Sequence, residues 1–322
     1  MGFKHASMEH PFLNEWRSGA SVLNARTSGS TGAPKNIQLL RTDMLVSARA
    51  TCRFFGIEKN DRIHCPLSLD YIAGKMMVVR AEVSGAALTL ETPTNSPLGN
   101  DTDPRPIKLL PVVPSQIMAL NGTLRPGAVE NIIVGGAPMD ASTEQTARKL
   151  PARIWATYGM TETCSHVALR DVSAGGRHFT ALPGFTFSTD NRGCLVIEHD
   201  VMSFRRLVTN DVVQLLSPSG FIWLSRFDNV INSGGIKLFP EQLERLIAPH
   251  MGNIPFYITS RPSAVWGEEA VMVTEQGAVQ NPPALLRKLH DALPHRHCPK
   301  AIIEQPFTYT HTGKLIRKRL PS

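Results

Sequence analysis

An α/β fold with a large first domain and a smaller α+β second domain follows from three features of the 322-residue sequence. Strand-like and helix-like segments alternate up to about residue 160, short strands with turns take over from about residue 190, and a proline-led helix signal follows residue 225. Alternation of the first kind predicts a parallel sheet, because each helix carries the chain back across the sheet face.

The elements follow in order. "TDMLVSARATCRFF" opens on Thr42, a residue able to cap, and spaces its apolar residues by threes and fours, which predicts a helix just after a Gly/Ser-rich loop. "AALTLE" and "NIIVGG" are short apolar runs suited to buried strands, the second ending on glycines where a turn begins. "ASTEQTARKL" sets Ser142 and Gln145 at capping-box spacing ahead of the strand-like "ARIWATYG", giving strand, helix, strand. From Asp190, "GCLVIEHD", "DVVQLLSPSG" and "FIWLS" read as a small β meander. In "RFDNVINSGGIKLFPEQLERLI", Pro240 sits in a helix's first turn and Leu243, Leu246 and Ile247 form one apolar stripe, which starts the α+β unit. The basic tail "GKLIRKRL" reads as a solvated terminal helix. Domains are expected at residues 1–225 and 226–322, the second mobile about a hinge.

Composition narrows the function classes. With 42% hydrophobic residues the chain is a globular protein, and 34 Lys and Arg against 27 Asp and Glu leave a net charge of +7 that favours anionic ligands. A nucleic-acid footprint would concentrate that charge among aromatics, and only the tail is dense in base. Cys52, Cys65, Cys164, Cys194 and Cys298 are scattered, odd in number and form no C-x-x-C pair, which points to a reducing, cytoplasmic setting. "HRHC" at His295 to Cys298 lacks a second ligand pair and reads as a polar surface loop. No signal-peptide core opens the sequence, and no apolar run nears the roughly 20 residues that span a bilayer.

The chemistry lies in the loops. In "TSGSTGAPK", Gly29 and Gly32 let backbone amides turn toward one point, Thr27, Ser28, Ser30 and Thr31 add hydroxyls, and Lys35 adds a charge. The spacing does not match a P-loop, and Asn36 stands where that motif has its metal-binding hydroxyl. Read alone, the segment leaves two alternatives, a Gly/Ser linker or a phosphate cradle.

Read with the other loops, the segment resembles the phosphate-binding signature of the adenylate-forming superfamily of acyl-CoA synthetases, luciferases and peptide-synthetase adenylation domains. "TYGMTET" at Thr157 to Thr163 is similar to that family's adenine and metal motif, and "TND" at Thr209 to Asp211 to its ribose motif. "SRFDNVINSGGIKLFPEQLE" is similar to its hinge and thioester loop, and "THTGKLIR" at Thr310 to Arg317 to the motif of its catalytic lysine. The motifs stand in the family's order from residue 27 to 317.

The resemblance implies ATP, Mg²⁺ and coenzyme A as co-substrates and cofactor, and a carboxylic acid activated by attack on the α-phosphate. It implies that Glu162 holds Mg²⁺, that Thr161 donates to the α-phosphate, and that Lys314 brings an ammonium to the reacting oxygens. It places adenine by Tyr158, Gly159 and Met160 with Gly135, Gly136 and Ala137 at its edge, and the ribose between Asp211 and Arg226. Asp228 matches the hinge, and Gly234 and Gly235 match the loop that enters for the thiol step when the small domain rotates.

Between these motifs, "DYIAGKMM", "VVPSQIMAL" and "TYGMTETCSHVALR" resemble the o-succinylbenzoate–CoA ligases of menaquinone biosynthesis, especially a short form. Tyr71, Lys75, Ser115, Ser165 and His166 are the expected pocket residues, with His166 on a helix after the motif as the bland alternative. Asp70–Tyr71 stands where many members carry a histidine, which moves the aromatic gate to Tyr71. Typical members have a long region before the phosphate loop, whereas Thr27 here follows a short lead. Another acyl or aryl acid, a carrier-loading adenylation enzyme and a non-catalytic nucleotide-binding remnant are the alternatives, and a homodimer is left open.

Overall fold

The structure, a computed structural model, describes residues 9–26, 35–252, 254–309 and 315–321. Helix α1 (Pro11–Arg17) begins on a proline and buries Phe12, Leu13 and Trp16. Strands β1 (Val22–Arg26) and β2 (Asn36–Leu40) form an antiparallel ribbon in which Arg26 pairs with Asn36. Helix α2 (Arg41–Phe55) starts where β2 stops and ends at Gly56, whose φ of 58° is the left-handed conformation of a helix C-terminus. The expected Thr42 cap does not form: Leu40, held extended by the ribbon, is the N-cap residue, and the Arg41 N–H bonds to the Ser21 carbonyl at 2.8 Å.

The alternation of elements continues through β3 (Arg62–Cys65), α3 (Ile72–Ser84), β4 (Ala87–Leu90), β5 (Ile107–Val112), α4 (Pro114–Leu120), β6 (Val129–Val134), α5 (Ala141–Ala147) and β7 (Arg153–Met160). Strands β3 to β7 are all parallel, in the order β4-β3-β5-β6-β7. Alternate side chains serve two cores on the two faces. Leu109, Ile133 and Trp155 pack with the α2 and α3 side, and Leu110, Ile132 and Ile154 with the α4 and α5 side. Helix α5 is capped by Asp140, whose Oδ1 accepts the Thr143 N–H at 2.7 Å, so the expected Ser142 and Gln145 box is replaced and Ser142 falls inside the helix.

Beyond β7 the pairing reverses. Strands β8 (Ser165–Asp171), β9 (Phe179–Ala181), β10 (Thr186–Thr189), β11 (Cys194–Glu198), β12 (Arg206–Ser217) and β13 (Gly220–Arg226) are antiparallel, and they extend the same sheet to eleven strands through β8 and β9. The predicted meander, β11 to β13, is therefore part of the main sheet. His166 lies on β8, not on a helix, because the turn after Met160 sends the chain straight back along β7.

A second, five-stranded sheet follows, built from β14 (Ile231–Ser233), β15 (Ile236–Leu238), β16 (Phe256–Ser263), β17 (Gly267–Thr274) and β18 (Ile302–Glu304), with α6 (Pro240–Met251) and α7 (Pro282–Ala292). On α6 the buried stripe is Leu243, Ile247 and Met251. Leu246 is 37% exposed, since it lies about 60° to one side of Leu243 while Ile247 and Met251 lie about 40° and 80° to the other. The tail is extended, not helical, among its described residues: the Ile316 N–H bonds to the Thr308 carbonyl and the Leu320 N–H to Ser260, both at 2.8 Å, and Arg317 pairs with Glu244. "HRHC" forms a short 3₁₀ turn with Cys298 buried, and no metal-ligand cluster occurs among the described residues. No helix among them is long and apolar enough to cross a membrane.

Gly159 sits where the β7–β8 register shifts, and a Cβ there would lie 2.1 Å from the Ser165 carbonyl oxygen. Gly159→Ala is expected to destabilise the protein by about 3 kcal/mol, read as a lower denaturation midpoint; an unchanged midpoint would contradict this packing.

Candidate functional site

The carboxyl ends of the parallel strands β6 and β7, where the chain leaves the sheet, carry the Gly135–Ala137 and Tyr158–Glu162 motif residues. After β6, the Gly135 N–H returns to the Val112 carbonyl at 3.1 Å, and a Cβ on Gly135 would sit 2.6 Å from Thr157 Oγ1. Gly136 has φ of 83°, so this turn needs both glycines, and it leaves Gly136 and Ala137 exposed. Beside it β7 ends in Tyr158, Gly159 and Met160, and a 3₁₀ turn over Thr161–Thr163 follows. Cys164, at φ of 58°, closes that turn, and the fully buried Thr163 lies 2.7 Å from the Ser165 carbonyl and 3.0 Å from the Met160 N–H. The tight closure keeps Thr161 buried and turns Glu162 outward.

Tyr158 meets Asp211 of β12. The Tyr158 hydroxyl donates to Asp211 Oδ2 at 2.8 Å, and Trp223 Nε1 donates to Oδ1 at 3.1 Å. The Tyr158 ring packs edge-on against Phe221, with centroids 5.0 Å apart. Burial, then the neighbouring Asp211 charge, push the phenol well above its ordinary pKa of 10.0, so it remains a donor. Arg226, paired with Asp211 across β12 and β13, lies 3.7 Å from the Asp211 carboxylate and 3.6 Å from that of Asp228. Asn210 donates to Asp228 at 2.6 Å, joining the Thr209–Asp211 segment to the expected hinge position. Four sequence candidates thus form one contiguous group: Tyr158, Asp211, Arg226 and Asp228.

Gly234 and Gly235 form the β14–β15 turn with φ of 57° and 79°. The Trp266 ring covers Gly234, and a Cβ there would lie 2.6 Å from it. Lys35 precedes β2. Thr27, Ser28, Gly29, Ser30, Thr31, Gly32 and Lys314 lie outside the described residues. Glu162 forms no ion pair among the described residues, which also hold no cluster of three metal ligands. A lone free carboxylate suits Mg²⁺, which keeps water and phosphate oxygens as its other ligands.

The acid-pocket candidates fall in three places. Tyr71 and Lys75, at the start of α3, stand near the ribbon: Tyr71 bridges to Arg26, and the buried Lys75 amine donates to the Asn24 carbonyl. Lys75 borders a cavity of about 410 Å³ lined also by His10, Phe12, Arg26 and Asp70, and desolvation pulls its pKa down. Ser115 is exposed on α4 and bonds to none of the others among the described residues. Ser165 and His166 are together: Ser165 Oγ is 3.3 Å from His166 Nδ1, and His166 Nε2 is 3.2 Å from Thr51 Oγ1.

Arg80 completes the last group and carries its charge. It is 1% exposed, its Nη2 donates to Ser165 Oγ at 3.2 Å and Nη1 faces Met77 Sδ, while Nε has no partner. No carboxylate among the described residues pairs with it, and burial pulls its pKa down to about 10. Burial, and then Arg80, hold His166 well below its ordinary 6.5.

These parts agree with known proteins. The family model described as AMP-binding enzyme matches residues 26–187, half of the chain. The chain belongs to that family. It thereby stands among the AMP-forming acyl-CoA ligases. A 2-succinylbenzoate–CoA ligase of Staphylococcus epidermidis is 24% identical over 92% of this chain and 68% of its own length. An acyl-CoA synthetase (AMP-forming)/AMP-acid ligase II-like protein of Dyadobacter fermentans is 31% identical, with a TM-score of 0.63, over 94% of this chain and 90% of its own. The o-succinylbenzoate coenzyme A synthetase of Bacillus subtilis, solved with ATP and magnesium ion, shares the fold at a TM-score of 0.72 and 18% identity, over 88% of this chain and 66% of its own.

Sequence reading of the ligase missed Arg80, Thr51, Thr163 and Trp223. The one signal for Arg80 was a charge inside the apolar run "MMVVRA"; Trp223 looked like any strand aromatic in "FIWLS".

Because folded His166 resists protonation and the unfolded chain takes a proton near 6.5, its contribution to stability is full above that pH and falls as the pH drops below it. His166→Gln should flatten the loss of stability between pH 7 and 5 by up to about 1.4 kcal/mol per pH unit, read by denaturant titration at several pH values. A slope equal to the parent's would show that His166 titrates normally.

Proposed function

We propose that this ligase joins o-succinylbenzoate to coenzyme A through an acyl adenylate, releasing pyrophosphate and then AMP. The uncompensated charge of Arg80 carries the substrate reading. A guanidinium buried without an anion costs stability, and a substrate that brings a second carboxylate toward the Ser165 end offsets that cost while its ring occupies apolar space. The relatives named 2-succinylbenzoate–CoA ligase support the same acid.

In this reading one carboxylate of the acid attacks the α-phosphate of ATP and pyrophosphate leaves. Asp211, fixed by Tyr158 and Trp223, accepts from the ribose hydroxyls, and Arg226 approaches from the neighbouring strand. The 27–35 segment holds the departing phosphates, with Lys35 as their cation, and Lys314 neutralises charge at the reacting oxygens. Glu162 would hold Mg²⁺, which offsets phosphate charge. Residues 1–225 bind ATP and the acid. Residues 226–322 turn about Asp228, so that Lys314 withdraws and the Gly234–Gly235 turn enters for attack by the CoA thiol.

Acid-dependent pyrophosphate release across a panel of aryl and alkyl acids, with and without CoA, tests this. The dicarboxylate should give the highest kcat/KM, and Arg80→Met should raise its KM at least about 10-fold while sparing a monocarboxylic analogue. Preference for a monocarboxylate would overturn the substrate assignment and leave the ligase chemistry intact. Lys314→Ala should abolish adenylate formation yet still convert preformed adenylate to thioester; equal loss of both steps would refute the rotation.

A further inference from the structure

We propose that Trp223 is a positioning residue that makes the grip on the ribose depend on where the small domain sits. The inference rests on the assignment of Asp211 to the ribose hydroxyls. A carboxylate on a single bond to its chain rotates freely unless both oxygens are held, and here they are held from two strands, by Tyr158 on one oxygen and Trp223 on the other. The remaining lone pairs then point in a set direction, which is what a bidentate contact to two adjacent hydroxyls needs.

Trp223 is itself gripped from beyond the hinge. Arg245 of α6 donates through Nη1 to the Trp223 carbonyl at 3.3 Å, and its guanidinium lies 5.4 Å from the centre of the Trp223 ring. Among the described residues Arg245 forms no ion pair with a carboxylate, so the tryptophan is its principal anchor. The base of α6 is fastened to the same region: Glu241 accepts from the Ser225 hydroxyl and, at 2.6 Å, from Asn229 Nδ2. Residue 223 precedes the Asp228 hinge and residue 245 follows it, so a rotation there draws Arg245 off the ring. The indole N–H then loses its support from behind, and Asp211 holds the ribose less firmly. The docked arrangement favours ATP; the rotated one favours departure of AMP after the thiol step.

The test measures binding of ATP and of 2′,3′-dideoxy-ATP to the full chain by calorimetry, for the parent, Trp223→Phe, Asp211→Asn and Arg245→Met. Trp223→Phe keeps an aromatic ring and removes the N–H donor. It should weaken ATP about 10-fold and leave the dideoxy compound unchanged, as a loss confined to the ribose contact requires. Arg245→Met, at an exposed position, should weaken ATP about 3-fold with the same discrimination. Equal loss for both nucleotides in Trp223→Phe would mark a packing effect and overturn the proposal, as would parental ATP affinity in Arg245→Met. If Asp211→Asn fails to weaken ATP relative to the dideoxy compound, the ribose assignment itself is wrong and the proposal falls with it. Should Trp223→Phe not fold, the Arg245→Met arm decides alone.

Discussion

Strand β7 is bonded on one edge to a parallel neighbour and on the other to an antiparallel one, and the arrangement of the site depends on that change of direction. A purely parallel sheet would carry the chain away into a helix after Met160. Instead the Thr163 and Cys164 turn folds it back, with Gly159 admitting the Ser165 backbone at a distance no side chain tolerates. The reversed strands then bring β12 and β13 round so that Asp211 meets the Tyr158 hydroxyl. One turn therefore converts a doubly layered α/β half into a wall facing the carboxyl ends of its own parallel strands.

Charge is placed unevenly around this wall. Around Tyr158 each charged group has a polar partner: Asp211 has two donors, and Arg226 lies between two carboxylates. Under β8 the opposite holds, since Arg80 has a hydroxyl and a thioether for company, and burial, then Arg80, holds His166 beside it neutral. Burying an unopposed cation costs free energy that packing of α3 must supply, for Met76, Met77 and Val79 on the same helix are fully buried. Such an imbalance suits a site whose ligand brings the missing charge.

Much of the fold was legible because its signals are local. Short apolar runs marked β4 and β6, the second ending on glycines, the proline-led amphipathic segment marked α6, and the motifs that hold Tyr158, Asp211, Arg226 and Asp228 stand in order along the chain. The failures were competitions between local and tertiary partners. Thr42 lost its capping role because ribbon pairing set the helix start, Asp140 displaced Ser142 by standing nearer, and the basic tail paired with Ser260 and Glu244 where its composition suggested a free helix. For the pocket candidates Tyr71, Lys75, Ser115, Ser165 and His166, position along the chain does not say which face of an element a residue occupies.

By itself the sequence determined the α/β alternation and the family, because a turn glycine, a helix-leading proline or an apolar period acts within a few residues. Tertiary structure alone decided that the meander joins the main sheet, that Arg80 lies without an anion beside Ser165, and that Trp223 stands between Asp211 and Arg245. Those facts depend on contacts between segments far apart in the chain, where sheet order and twist set the neighbours and no local pattern records them.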